Sequence, residues 1–273
     1  MPHITFDGRV AIVTGAASGI GAALARALAG RGCHLALADL NKAGLKEVAA
    51  SCARSERTVT TSRVDVGNPD DITRFRDQVE AAHGQANFLF NNAGVAVGGQ
   101  FEDIPPDDFD WLFAINFWGV VRMTRAFLPL LRQADEAHIT NISSLFGIIA
   151  PVGQTAYSAS KFAVRGFSDA LRHELAETSV GVTTVHPGGV ATQIARNARL
   201  PATLSNSERA AVLERSDRLL TLPPDRAAAI ILKGVERKTP RILVGRDAHM
   251  AALLERIFPA SYWKFIRSRA EGL

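Results

Sequence analysis

Cysteine is scarce: the 273 residues contain two, Cys33 and Cys52, at no spacing that would hold a metal. A disulfide framework or thiolate metal centre is therefore excluded as an organising feature, and both thiols are expected to pack as small apolar groups in a reducing compartment. No apolar run reaches the ~18 residues needed to cross a bilayer. The opening Met-Pro-His-Ile-Thr-Phe-Asp lacks the basic and apolar regions of a secretory leader. A soluble cytoplasmic protein is expected, in which Asn141-Ile-Ser143 carries no glycan. Neither sign of charge dominates: 31 basic and 27 acidic residues give a net +4, which without a concentrated patch predicts no nucleic-acid binding. No Gly-x-Ser-x-Gly elbow is present, which argues against a serine hydrolase. His173-Glu174 is followed by Glu177 and not by a second His, which excludes a zinc-protease helix.

What is present is a globular composition, 47% hydrophobic and 21% charged, at a length that one α/β domain can fill. The centre of interest is Gln154 to Phe167, where Tyr157 and Lys161 stand four apart. On a helix they leave the same face one turn apart. A phenol ordinarily titrates near pH ~10, and a cation within ~4–6 Å lowers that value. Bringing it down to about pH 7 takes about 4 kcal/mol, within reach of two cationic neighbours in a partly dry site. Alone, the pair is also what any helix with one Tyr and one Lys could show.

Its setting changes that reading. Arg9 to Thr14 is an apolar, β-branched run suited to a buried parallel strand, and it enters Gly15-Ala-Ala-Ser-Gly19-Ile-Gly21 before the helix formers of Ala22 to Ala29. Strand, glycine turn and helix in that order is the context of a dinucleotide loop, with Gly15 for the tight turn and the helix N-terminus for the pyrophosphate. A second strand over His34 to Ala38 ends at Asp39, placed to bond the adenosine ribose and to repel a 2′-phosphate. NAD is therefore favoured over NADP, an option that Lys42 keeps open. Asp39 could equally cap the next helix. Helices are expected over Asn41 to Arg54 and Pro69 to His83, and strands over Thr58 to Val64, Asn87 to Phe90, His138 to Ser143, Val180 to His186 and Arg241 to Gly245. Asp65-Val66 and Asn91-Asn92-Ala93-Gly94 follow strands at the edge where open α/β sheets bind ligands. Pro105 to Gln133 reads as one long helical region, with Asn116 in an apolar setting that demands a hydrogen-bonded amide.

Thr14-Gly15-x-x-x-Gly19-x-Gly21, Asp65, Asn91-Asn92-Ala93-Gly94, Asn116, Ser144, Tyr157-x-x-x-Lys161 and Pro187-Gly188 stand in an order that resembles the short-chain dehydrogenase/reductase family, in its compact single-domain branch. The resemblance spans about Arg9 to Thr192. It implies a Rossmann-like, doubly wound, mainly parallel seven-stranded sheet in a three-layer α/β/α arrangement. It implies a catalytic set of Asn116, Ser144, Tyr157 and Lys161. Ser144 is preferred to Ser143 because the family's serine usually stands thirteen positions before the tyrosine. The cofactor is assigned to Gly15, Ser18, Gly19, Ile20 and Gly21, to Asp39 and Leu40, to Asp65 and Val66, and to Asn92, Ala93 and Gly94. Tyr157 and Lys161 also touch it, as do Pro187, Gly188, Val190 and Thr192. In the family, Lys161 would bond the nicotinamide ribose, and Asn116 would hold a water leading from the lysine to solvent.

Residues 1–273 read as one domain with a variable substrate lid over about 193–221 and a C-terminal extension over about 247–273. Phe146, Ile148, Ile149 and Val152 suggest an apolar pocket wall, and hence a hydrophobic secondary alcohol or ketone, with a 3-oxoacyl-carrier substrate as runner-up. A non-catalytic dinucleotide-binding regulator would lack part of the catalytic set, and nothing of it is missing. A sugar-nucleotide epimerase would have a longer C-terminal domain. The family's long helices commonly pair, so a homodimer or homotetramer is expected, although the extension could block the second interface. Met250, Leu253, Leu254, Ile257 and Phe258, then Tyr262, Phe265 and Ile266, follow helical spacing among Lys264, Arg267 and Arg269. Packing on its own protomer or a partner subunit is the favoured reading of that stripe, and contact with anionic lipid the other.

Overall fold

The computed structural model describes residues 4–54 and 56–270, with side chains as far as Ile266. Seven strands form one sheet: β1 (Val10–Thr14), β2 (His34–Asp39), β3 (Val59–Arg63), β4 (Phe88–Asn91), β5 (Ala137–Ile142), β6 (Val180–Pro187) and β7 (Arg241–Val244). Their order is β3-β2-β1-β4-β5-β6-β7 and every pairing is parallel. Strands covered on both faces need continuous apolar runs, which Val10–Thr14 and Phe88–Asn91 supply. Alternate side chains feed two cores. Ala11, Val13, Leu35 and Phe90 pack with α1 (Gly19–Ala29), α2 (Lys42–Cys52) and α8 (Pro224–Glu236). Ile12, Ala36, Leu89 and Ile139 pack with α3 (Pro69–His83), α5 (Val120–Gln133) and α6 (Thr155–Glu174). The result is a doubly wound three-layer α/β/α fold.

Local chemistry sets the element ends. Asn68 caps α3 through the Asp70 N–H, Pro69 occupies its first turn, and left-handed Gly84 stops it. Asn41, not Asp39, caps α2, accepting the Gly44 N–H at 3.1 Å. The helical region from residue 105 is divided: α4 (Pro106–Phe113) passes through a π-helical turn, Ala114–Gly119, into α5. Such turns insert one residue into the α register, often at functional sites. Gly119 is required there, since a Cβ would lie 2.9 Å from Val66. The lid contains α7 (Asn206–Leu219), closed by a Ser205/Glu208 capping box and burying none of its side chains. The extension forms α9 (Arg246–Ile257) and α10 (Tyr262–Ala270), broken at Pro259. Both cysteines are free and buried, and burial pushes the Cys33 thiol up to about 12.

Candidate active site

The strand order reverses between β1 and β4, so their carboxyl ends open a crevice. The glycine loop closes one side of it. Gly15 and Gly19 have positive φ, 64° and 54°, which favours glycine. Gly21 has a different reason: a Cβ there would stand 2.0 Å from the Gly15 carbonyl oxygen, so only glycine lets α1 start against β1. Ser18 enters α1 extended and makes no side-chain cap, and no acid stands in the first turn. The open N–H groups of that turn fit a pyrophosphate.

Asp39 ends β2 beside this loop. One carboxylate oxygen accepts the Ala17 N–H at 3.0 Å and the other the Asn41 N–H at 2.9 Å. These bonds fix the carboxylate's direction while leaving further lone pairs for hydroxyl donors. Leu40 beside it is exposed. Asp65 holds the turn after β3 by accepting the Gly67 N–H at 2.8 Å, next to buried Val66.

The Asn92 amide is engaged within the protein. It donates to the carbonyls of Thr14 at 2.9 Å and Gly15 at 3.2 Å, while the Thr14 hydroxyl accepts the Asn92 and Ala93 N–H groups, both at 3.0 Å. Thr14 and Asn92 thereby staple the two strand ends that flank the crevice. Asn116 is likewise committed: its carbonyl oxygen accepts the Val95 N–H at 2.9 Å, and its NH2 donates to Val95 O at 3.0 Å and Ser160 Oγ at 3.2 Å. A water held at Asn116 would therefore sit on its backbone rather than on a free amide. Gly94 lies between these groups, where a Cβ would be 3.3 Å from Asn116 Oδ1 and 3.5 Å from Lys161 Nζ.

Tyr157 and Lys161 leave α6 on one face, with the ammonium 5.7 Å from the phenol ring centroid. Ser144, after β5, stands near enough to the Tyr157 phenol to favour its ionisation, and its own Oγ accepts the Phe146 N–H at 3.1 Å. Ser143 turns elsewhere, donating to the Lys161 carbonyl at 2.8 Å. The expected lowering of the Tyr157 pKa is reversed in the protein alone. Desolvation pushes the phenol up to about 12, against the opposing influence of the Ser144 hydroxyl, and holds the Lys161 amine down to about 8. The amine donates to Ile142 O at 3.1 Å, and burial is the largest influence on the phenol.

The segment after β6 faces this cluster. Gly188 N–H bonds Val244 O at 2.9 Å and Ala191 N–H bonds Leu222 O at 2.9 Å, which fixes buried Val190. Thr192 reaches across to the phosphate loop, 3.0 Å from where a Cβ on Gly19 would be. The glycine loop, Asp39, Asn92, Ser144, Tyr157, Lys161 and the segment after β6 thus gather along the carboxyl edge of the sheet. The expected pocket wall needs correction. Ile148 and Ile149 are buried against Ala251 and Tyr262 of the extension, because α9 and α10 cover this part of the segment, while Val152 beyond them is exposed. Phe146 alone stays by the phenol, edge-on at 6.1 Å.

Several supporting groups carry no signal in the sequence. His186 Nδ1 bonds the Ser144 carbonyl at 2.8 Å, and burial holds this imidazole down to about 4. A Cβ on Gly147 would meet Ser143 Oγ at 2.3 Å. Asp247 accepts the Gly189 N–H at 2.6 Å. Each acts through three-dimensional proximity between distant segments, and no spacing in the chain announces it.

The family model described as short chain dehydrogenase matches residues 9–202. A Mycobacterium tuberculosis protein named SadH and assigned as an oxidoreductase is 40% identical over 265 residues, covering 96% of this chain and 95% of its own. A short-chain dehydrogenase/reductase from Burkholderia phymatum, solved in complex with NAD, superposes with a TM-score of 0.86 at 31% identity, over 93% of this chain and 95% of that one. A metagenomic short-chain oxidoreductase in complex with NADP gives a TM-score of 0.71 at 30% identity, over 88% and 98%. A model match of that length, joined to 40% identity along nearly the whole chain, means that this chain belongs to the short-chain dehydrogenase family of oxidoreductases.

Proposed function

We propose that the protein interconverts a hydrophobic secondary alcohol and its ketone, using NAD in preference to NADP. The observation that carries this reading is the convergence of Ser144, Tyr157 and Lys161 beside a cradle suited to a dinucleotide. When bound, the nicotinamide would supply the hydride acceptor or donor. Gly15, Gly19, Gly21 and the first turn of α1 would hold its pyrophosphate, and Asp39 the adenosine ribose.

The chain's own part is orientation and proton handling. Ser144 and Tyr157 would donate hydrogen bonds to the substrate oxygen, the serine being held by its bond from the Phe146 N–H. A phenol pushed up to about 12 carries its proton at neutral pH, which suits donation to a ketone oxygen during reduction. In oxidation Tyr157 would take the alcohol proton, for which a cation in the crevice must offset the desolvation. Lys161 would bond the nicotinamide ribose and relay protons along the wall held by Asn116 and Ser160. Phe146 favours an apolar substituent on the substrate.

Assembly as a homodimer or homotetramer is part of the proposal, with α5 and α6 as the pairing helices and exposed Phe162 on α6. The deciding experiment is a panel of secondary alcohols, with 3-oxoacyl thioesters as a separate arm, each assayed with NAD and NADP for reduced or oxidised cofactor. Turnover confined to the thioesters would overturn the substrate class. Wild-type turnover retained by Tyr157→Phe would overturn the mechanism.

A further inference from the structure

The inner faces of the two C-terminal helices are occupied. Ala248 and Ala251 of α9 are buried, and the Tyr262 hydroxyl of α10 accepts the Ala150 N–H at 2.9 Å. The outer face of α9 is different. Its exposed residues are Arg246, His249, Met250, Leu253, Arg256 and Ile257, which at 100° per residue fall within an arc of about 120°. Met250, Leu253 and Ile257 are 53%, 58% and 56% exposed, on consecutive turns of one helix. Single exposed apolar side chains are ordinary on a protein surface, but a contiguous stripe of this kind is not. Phe258 and Phe265 extend the stripe into α10, their rings 4.7 Å apart and both exposed.

Charge identifies what the face fits. The stripe holds two arginines and a histidine, with Lys264 exposed on α10, and it holds no carboxylate. The acids of α9, Asp247 and Glu255, are partly buried and lie off this arc. Arg246, Arg256 and Lys264 have no ion-pair partner among the described residues. A second copy docking by two-fold symmetry would set this patch against itself and oppose cation to cation. An anionic lipid surface meets both demands, taking apolar side chains to the acyl boundary and guanidinium groups to the phosphates.

We infer that the outer faces of α9 and α10 form an interfacial docking surface for anionic lipid. The protein lies on such a surface without crossing it, since no described helix is long and apolar enough to span a bilayer. The docked helices are the same ones whose inner faces hold Gly189 and Ala150, on two sides of the candidate active site.

The test is co-sedimentation of the full chain with vesicles of phosphatidylcholine alone and of phosphatidylcholine mixed with phosphatidylglycerol, at low and high salt. Binding is expected only to the anionic vesicles and should weaken with salt. Reversing two charges, Arg246→Glu with Arg256→Glu, is expected to lower partitioning at least about tenfold. Leu253→Asp with Ile257→Asp should do the same, while NADH binding, as a control for folding, stays unchanged. Equal binding to both vesicle types, or undiminished binding by the charge-reversed protein, overturns the proposal. So does a wild type that ignores vesicles but loses its oligomeric mass on Leu253→Asp with Ile257→Asp. If the apolar pair fails to fold, the surface charge pair still decides.

Discussion

The carboxylate of Asp247 accepts the backbone N–H of Gly189 at 2.6 Å, so the first turn of α9 holds the loop that leaves β6. Two glycines make room for it: a Cβ would lie 2.1 Å from its carboxylate at Gly188 and 2.4 Å at Gly245. Asp247→Ala leaves a partly buried N–H unpaired, a loss of about 1–3 kcal/mol. The NADH dissociation constant is expected to rise about tenfold, with Asp247→Asn intermediate. Fluorescence titration measures it, and an unchanged constant in both variants would refute the coupling.

Gly21→Ala brings a methyl carbon into the Gly15 carbonyl, an overlap that only backbone displacement relieves. Dinucleotide affinity should fall by at least about a hundredfold. Calorimetric titration with NADH provides the comparison. Affinity within a factor of two of wild type would show that the loop does not hold the pyrophosphate.

Replacing Asp39 by Ser removes the negative charge at the end of β2 but keeps a polar group. The ratio of NADPH to NADH dissociation constants is expected to fall about ten- to a hundredfold, since repulsion of a 2′-phosphate is lost. A wild type that already prefers NADPH would remove the basis for the assignment.

Lys161 illustrates an opposition between stability and function. Its folded-state pKa is depressed from 10.5 to about 8, so the unfolded chain binds more protons between those values and stability rises with pH across that window. At neutral pH the buried amine therefore costs about 3 kcal/mol. Lys161→Met should raise the urea midpoint at pH 7, flatten its rise toward pH 10, and abolish turnover. A midpoint lower than wild type at every pH would contradict this.

Acid should act through His186 and His138. Both are buried and held neutral, at about 4 and about 3, against 6.5 in the unfolded chain. Their contribution is fully present above pH 6.5 and is lost as pH falls through these depressed values, each tenfold rise in proton concentration across that window removing about 1.4 kcal/mol per imidazole. His186→Asn should reduce the steepness of the stability loss between pH 6.5 and 4, as followed by circular dichroism. Because His186 also bonds the Ser144 carbonyl, turnover should fall while NADH affinity holds.

Much of the fold was legible in the chain because buried parallel strands must be apolar along their length and helix ends must be capped. Val10–Thr14, Pro69–His83 and the break at Pro259 follow from those rules alone. Less was legible where tertiary packing decides. Ile148 and Ile149 are apolar for the sake of α9 and not of a substrate, and a linear reading cannot separate the two purposes. The direction in which the Tyr157 phenol moves could not be signed from the sequence, because desolvation depends on how many apolar neighbours arrive from other elements. The π-helical turn gave no periodic signal, since one inserted residue in a long amphipathic run blurs a stripe without erasing it.

That turn makes the number of residues between α4 and α5 a constraint in its own right. Deleting one position within α4 or α5 would rotate everything before it by about 100° relative to everything after, whereas deleting one from Ala114–Gly119 removes the inserted residue and lets a continuous α-helix keep both halves in phase. Leu112 and Met123, now both buried, would still face inward, but Asn116 would lose its grip on Val95. The extra residue therefore serves the site and not the packing, and its removal should cost turnover more than stability.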